Sequence, residues 1–127
     1  MSRIIKDLNS LTGGINFGGV NDIKNVTITA NTDNLLIPDL QGFTLIRVET
    51  SGNFSVTGLV PYDITVAIWV LLFNVGTNNL NIDNNSGSSS ANNRFLIGTQ
   101  KTLQADEGLA LVYDPASLRW RSFGINI

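Results

Sequence analysis

The chain has 127 residues, of which 43% are hydrophobic and 14% are charged, and its net charge is −2. This composition supplies the apolar core of one domain, and the scattered Lys and Arg residues argue against a basic nucleic-acid-binding face. The absence of Cys and His excludes disulfides, His-based or Cys-based catalytic triads and the usual zinc ligands. We therefore expect no enzyme, no metal and no cofactor.

The first 24 residues differ from the rest of the chain. Four apolar residues are spaced among Asn and Gly: Leu8, Leu11, Ile15 and Phe17. Two glycine pairs stop any helix that begins here. The segment is either an extended arm that docks on another surface through these four residues or a frayed terminus. We take residues 1–24 as an arm and residues 25–127 as the folded domain.

From residue 25 onward the apolar pattern has a period of two. Runs such as NVTITAN and FTLIRVET alternate apolar with polar residues, and turn residues separate these runs. Ser51-Gly52 predicts a two-residue hairpin. Ala105 begins a second predicted turn, in which Gly108 takes the left-handed position. Asp114–Ser117 predicts the turn before the last strand. These patterns predict an all-β fold, a single antiparallel, jelly-roll-like β-sandwich that follows the N-terminal arm.

Residues 64–73 are apolar on both faces of a predicted strand. One face would hold Ile64, Val66, Ile68, Val70 and Leu72, and the other Ala67, Trp69, Leu71 and Phe73. No helical pattern exists to cover a second face, so we infer that one face fills the core and the other packs against a second copy. The alternative is the central strand of a thick sandwich under a long loop. We take Ala67, Trp69, Leu71 and Phe73 as the candidate interface, although the pattern does not decide which face points outward.

The same stretch contains the longest apolar run, VAIWVLLF at residues 66–73. It is much shorter than the roughly 20 residues that a membrane helix requires. The N-terminus has no apolar stretch of signal-peptide length. We therefore expect no membrane association and synthesis in the cytoplasm.

Residues 84–93 contain only Asn, Ser, Gly and Ala, the composition of a flexible linker. The chain that follows is too short to form a second β-domain, so we predict an exposed loop within one domain. The overlapping stretch DNNSGSSS, residues 83–90, resembles a calcium-binding loop in composition, but the glycine and glutamate of such a loop are not at the required spacing.

Two tryptophans are candidates for stacking on a sugar ring, and they support an alternative function as a carbohydrate-binding module. Trp69 lies within the apolar run, which favours a place in the core or interface. Trp120 alternates with Arg119 and Arg121, which predicts that its ring points inward.

The stretch from Leu71 to Arg121 resembles a module of tailed-bacteriophage structural proteins, found in tail fibres, head fibres and capsid-decoration proteins. Four features carry the resemblance: Asn-x-Gly-x-x-Asn-Leu-x-Ile at 74–82, Asn-Arg-Phe at 93–95, EGLALVYD at 107–114 and Arg119-Trp120. The resemblance implies a small β-sandwich, often trimeric, on a virus particle, and no catalytic residues. The expected function is therefore structural, as a homotrimer in the virion that decorates the capsid or forms part of a head or tail fibre. Its partners would be itself and other capsid or fibre proteins, with a host surface glycan as a further candidate.

Overall fold

The structure is a computed structural model that describes residues 21–123. Within this range the protein is all-β, as the sequence predicts. The nine strands are β1 (Asn21–Ile28), β2 (Phe43–Thr50), β3 (Phe54–Val56), β4 (Trp69–Asn74), β5 (Leu80–Ile82), β6 (Phe95–Leu96), β7 (Lys101–Leu103), β8 (Gly108–Asp114) and β9 (Arg119–Ser122). One short 3₁₀ helix, Ala91–Asn93, precedes β6.

The strands form two sheets, between which the chain passes repeatedly. The main sheet has the order β1-β2-β4-β8-β9-β6, and the small sheet has the order β3-β5-β7. Isolated bridges from Thr32 to Val56 and from Leu35 to Leu59 place the segment after β1 beside β3. Three successive coils, which begin with β1, β2 and β4, therefore each contribute backbone to both sheets. This arrangement is solenoid-like.

The prediction of a purely antiparallel, jelly-roll-like sandwich is wrong in strand direction. β1 pairs with β2, β2 with β4, β3 with β5 and β6 with β9 in parallel, whereas β4 with β8, β5 with β7 and β8 with β9 are antiparallel. A coil that returns through the small sheet brings the next strand into the main sheet in the same direction. The alternating sequence pattern specifies the two faces of a strand but not its direction.

The predicted two-residue hairpin at Ser51-Gly52 is also wrong. β2 belongs to the main sheet and β3 to the small sheet, so the chain turns a corner between sheets at this point. The Ser51 N–H donates to the Ile28 carbonyl, 3.0 Å away, which ties this corner to the preceding coil. Small turn residues suit such a corner as well as they suit a hairpin.

The C-terminal hairpin of β8 and β9 is confirmed. Asp114 pairs with Arg119 across the strands. Asp114 Oδ1 accepts from the Ala116 N–H at 3.0 Å, and the Asp114 carbonyl accepts from the Leu118 N–H at 2.8 Å. Leu118 closes the turn in the left-handed region, at φ 55°. Pro115, whose ring fixes φ near −65°, occupies the first central position of the turn.

Gly108 has a different role from the one predicted. The left-handed residue of this turn is Asp106, at φ 67°. A Cβ atom on Gly108 would lie 2.5 Å from two ring atoms of Phe73. Gly108 is therefore required because the Phe73 ring packs directly over its backbone.

Buried side chains from both sheets form one core. The main sheet contributes Ile28, Ile46, Val48, Val70, Leu72, Phe95, Leu111, Tyr113 and Trp120, and the small sheet contributes Val56, Leu80, Ile82 and Leu103. Burial alternates along β2 and along β4, as the period-two pattern predicts.

The Asn/Ser tract at residues 84–93 is an ordered part of this fold. β4 and β5 precede it and pair with β8 and β7, which follow it, so the tract lies inside one β-unit. Ser89 is only 2% exposed. Its Oγ accepts from the Asn34 N–H at 2.9 Å and lies 2.7 Å from Thr57 Oγ1. Six of the ten residues of the tract are exposed, as predicted, and Ser89 is the buried exception, because a small polar side chain can be buried when its hydrogen bonds are satisfied.

The predicted domain boundary at residue 24 falls inside β1, which begins at Asn21. Residues 21–24 pair with residues 43–46 of β2 and belong to the sheet. The four proposed docking residues, Leu8, Leu11, Ile15 and Phe17, lie outside the described residues.

Candidate functional site

The structure decides which face of β4 points away from the core. Val70, Leu72 and Asn74 are buried, whereas Trp69, Leu71 and Phe73 are each partly exposed on the opposite side. Three of the four predicted interface residues therefore share the outer side of the main sheet. The fourth, Ala67, precedes the strand and is exposed.

Strand pairing extends this apolar row across the main sheet. Paired residues point to the same side of a sheet. Leu71 lies between Leu45 and Ala110, and Leu45 in turn lies beside Ile23. Trp69 lies between Phe43 and Val112. Phe123 contacts Trp69 edge-on, with ring centroids 5.3 Å apart. We call this surface the outer face, and its members are Ile23, Phe43, Leu45, Trp69, Leu71, Phe73, Ala110, Val112 and Phe123.

The outer face is apolar and partly exposed. Ile23 is 62% exposed and Phe123 is 45% exposed, while the residues between them are partly exposed. Each side chain on one face of a sheet covers roughly 4.8 Å by 6.7 Å, so the members of the outer face span about 290 Å². The largest apolar patches on ordinary monomers are about 300–600 Å² and are often functional. Sequence reasoning found only the β4 part of this surface, because strand order decides which residues join it.

Charged residues border the outer face. Arg47 lies beside Phe73 on β2, and Arg121 lies beside Val112 on β9. Arg121 Nε donates to Asp114 Oδ2 at 2.8 Å. This hydrogen bond, followed by one from the Ser117 hydroxyl, lowers the pKa of Asp114. An apolar centre with a charged border is the usual anatomy of a protein interface.

Trp120 does not form a sugar platform. Its side chain is fully buried, and its Nε1–H donates to the Leu59 carbonyl at 2.7 Å. Its ring meets Tyr113 edge-on, with centroids 5.1 Å apart. The predicted inward orientation of Trp120 is confirmed, and its use in carbohydrate binding is excluded.

Trp69 also borders a cleft at the start of β4. The cleft has a volume of about 440 Å³ and is lined by Gln41, Gly42, Tyr62, Asp63, Val66, Ala67 and Trp69. The Trp69 N–H donates to the Gly42 carbonyl at 2.9 Å, which joins the two sides of the cleft at its base. Ala67, predicted as an interface residue, lies in this cleft.

The described part of the chain contains no cluster of three or more carboxylates that could hold a metal ion. Within residues 21–123, no helix has the length and apolarity that are needed to cross a membrane.

No protein-family model, curated protein or solved structure matches the chain.

Proposed function

We propose that the protein is a structural component of a tailed-phage virion, a homotrimer whose subunits associate through the outer face. The outer face is the observation that carries self-association, because nine side chains present a continuous apolar surface on the side of the sheet opposite the core. The resemblance of residues 71–121 to phage structural modules supports the virion setting and the trimer. Neither argument involves a catalytic group.

Burial of the outer face contributes to association. Fully burying one large apolar side chain contributes roughly 1.5–3 kcal/mol, and the members of the outer face, most of which are already partly covered in the subunit, each contribute a fraction of this against the roughly 4–15 kcal/mol that association costs. A standard interface buries about 800 Å² per partner, which is more than the roughly 290 Å² of the outer face. Under the proposal the remaining area comes from the charged border and from the arm, through Leu8, Leu11, Ile15 and Phe17.

Sedimentation of the full chain tests self-association. The unmodified protein should sediment at three times the mass of the 13.7 kDa chain. Leu71→Asp should give a folded monomer, because the carboxylate replaces an apolar contact at the centre of the outer face and remains hydrated in the free subunit. Asn25→Asp is the matched control, since Asn25 lies on the same side of the sheet beside Arg47 but outside the apolar patch.

A monomer at micromolar concentration in the unmodified protein would refute association through the outer face. The virion setting has a separate test, which is the detection of the chain by mass spectrometry in purified particles. If the chain forms a trimer but is absent from such particles, the proposed interface stands and the proposed place in the virion is refuted.

A further inference from the structure

The cleft beside Trp69 combines aromatic and polar side chains in a way that the outer face does not. The loop before β2 supplies Gln41 and Gly42 on one side, and the loop before β4 supplies Tyr62, Asp63, Val66 and Ala67 on the other. Tyr62 is 57% exposed and Val66 is 45% exposed, so both are accessible to a ligand. The volume of about 440 Å³ lies within the range of roughly 300–1,000 Å³ that is typical of small-molecule sites.

The carboxylate in this cleft is held in one orientation. Asp63 Oδ1 accepts from the Thr65 hydroxyl at 2.6 Å and from the Thr65 N–H at 2.8 Å. These two hydrogen bonds, the hydroxyl first, lower the pKa of Asp63 and keep it ionised at neutral pH. The second oxygen, Oδ2, accepts no hydrogen bond from any described residue and remains available to a ligand.

Two further polar groups in the cleft have no described hydrogen-bond partner. They are the Gln41 side-chain amide and the Tyr62 hydroxyl. Together with Asp63 Oδ2, they offer one amide donor and acceptor, one hydroxyl and one fixed charged acceptor around a single cavity.

We propose that this cleft binds a neutral saccharide. A sugar ring has apolar C–H faces that pack on aromatic rings, here the exposed ring of Tyr62, and equatorial hydroxyls that pair with planar carboxylate and amide groups. The lining contains an ionised carboxylate and no Lys or Arg side chain, which disfavours phosphorylated or acidic sugars. An apolar segment of a second copy would leave the three polar groups unpaired, which disfavours that occupant.

Binding of defined oligosaccharides to the full chain tests the proposal. Maltohexaose, cellohexaose, mannohexaose and N-acetylchitohexaose are titrated by calorimetry. At least one of the four should bind.

Variants then assign the binding to the cleft. Asp63→Asn keeps an oxygen for Thr65 but removes the charge, and we expect about tenfold weaker binding or more. Tyr62→Ala removes the exposed ring and should weaken binding by a similar factor. The matched controls are Asp106→Asn and Leu36→Ala, an exposed acid and a 70% exposed apolar residue outside the cleft, and both should bind like the unmodified protein.

Two outcomes overturn the proposal. One is that none of the four oligosaccharides binds at millimolar concentration. The other is that a saccharide binds but Asp63→Asn and Tyr62→Ala leave its affinity unchanged, which would place the binding outside the cleft. Tyr62 and Asp63 lie off the outer face and Leu71 lies off the cleft, so these variants separate failure of the saccharide site from failure of self-association, although Trp69 borders both surfaces.

Discussion

The two faces of β4 have nearly the same hydrophobicity but opposite environments. Val70 and Leu72 are buried between the sheets, while Leu71 and Phe73 form part of the outer face. Composition therefore does not distinguish a core side chain from an interface side chain. The difference lies in what the rest of the fold places over each face: the small sheet covers one, whereas side chains on the other remain partly exposed.

The sharpest test of this comparison exchanges neighbouring leucines for alanine. Leu72→Ala should lower the free energy of unfolding by about 2–5 kcal/mol, because it leaves a cavity in the core. Leu71→Ala should lower the free energy of unfolding of the dissociated subunit by much less. Its main effect should be weaker self-association. Urea melts at several protein concentrations separate the two effects. Equal losses for both leucines in a monomeric sample would show that the outer face is already covered within the subunit.

The two tryptophans repeat the comparison with aromatic residues. Trp120→Phe removes the donor to the Leu59 carbonyl and leaves that buried acceptor unpaired, which costs about 1–3 kcal/mol in addition to the lost volume. Trp69→Phe keeps an aromatic ring on the outer face and should change the free energy of unfolding of the isolated subunit by about 0.5 kcal/mol or less. Thermal denaturation followed by circular dichroism measures both. A larger loss for Trp69→Phe would place that ring in the core.

The Asn/Ser tract offers the same contrast between adjacent serines. Ser89→Ala should cost about 1–3 kcal/mol of unfolding free energy, because the Asn34 N–H loses its acceptor and Thr57 loses a partner. Ser88→Ala is the matched control, since Ser88 is exposed, and it should be close to neutral. Chemical denaturation of the two variants compares them directly. Identical midpoints would mean that the Ser89 hydroxyl contributes nothing to stability.

The smallest effect is expected at the border of the outer face, from the pair of Asp114 and Arg121. The pKa of Asp114 is lowered in the folded protein, so its stabilising contribution is present above the unfolded pKa of about 4 and is lost as the pH falls through the folded pKa. Asp114→Asn should therefore lower the urea midpoint slightly at pH 7, and the difference from the unmodified protein should shrink as the pH falls below 4. A difference that does not change with pH would contradict a role for the charge. In that case Arg121→Gln should lower the urea midpoint of the Asp114→Asn variant by as much as it lowers that of the unmodified protein.

The all-β class, the alternation of buried and partly exposed residues along β2 and β4, the inward ring of Trp120 and the turn at Asp114 were all determined by the sequence alone. Each depends on neighbours that are close in the chain, where the period of two and the turn residues carry the signal. The parallel direction of β1, β2 and β4, the corner at Ser51 and the burial of Ser89 were decided only by the tertiary structure. Each of these depends on which distant segment lies alongside, and a local pattern contains no information about that segment. The same reason applies to the candidate sites. Trp69, Leu71 and Phe73 could be found from the pattern of one strand. The residues that complete the outer face and the cleft, such as Leu45 and Tyr62, lie on other segments, which only the fold brings alongside.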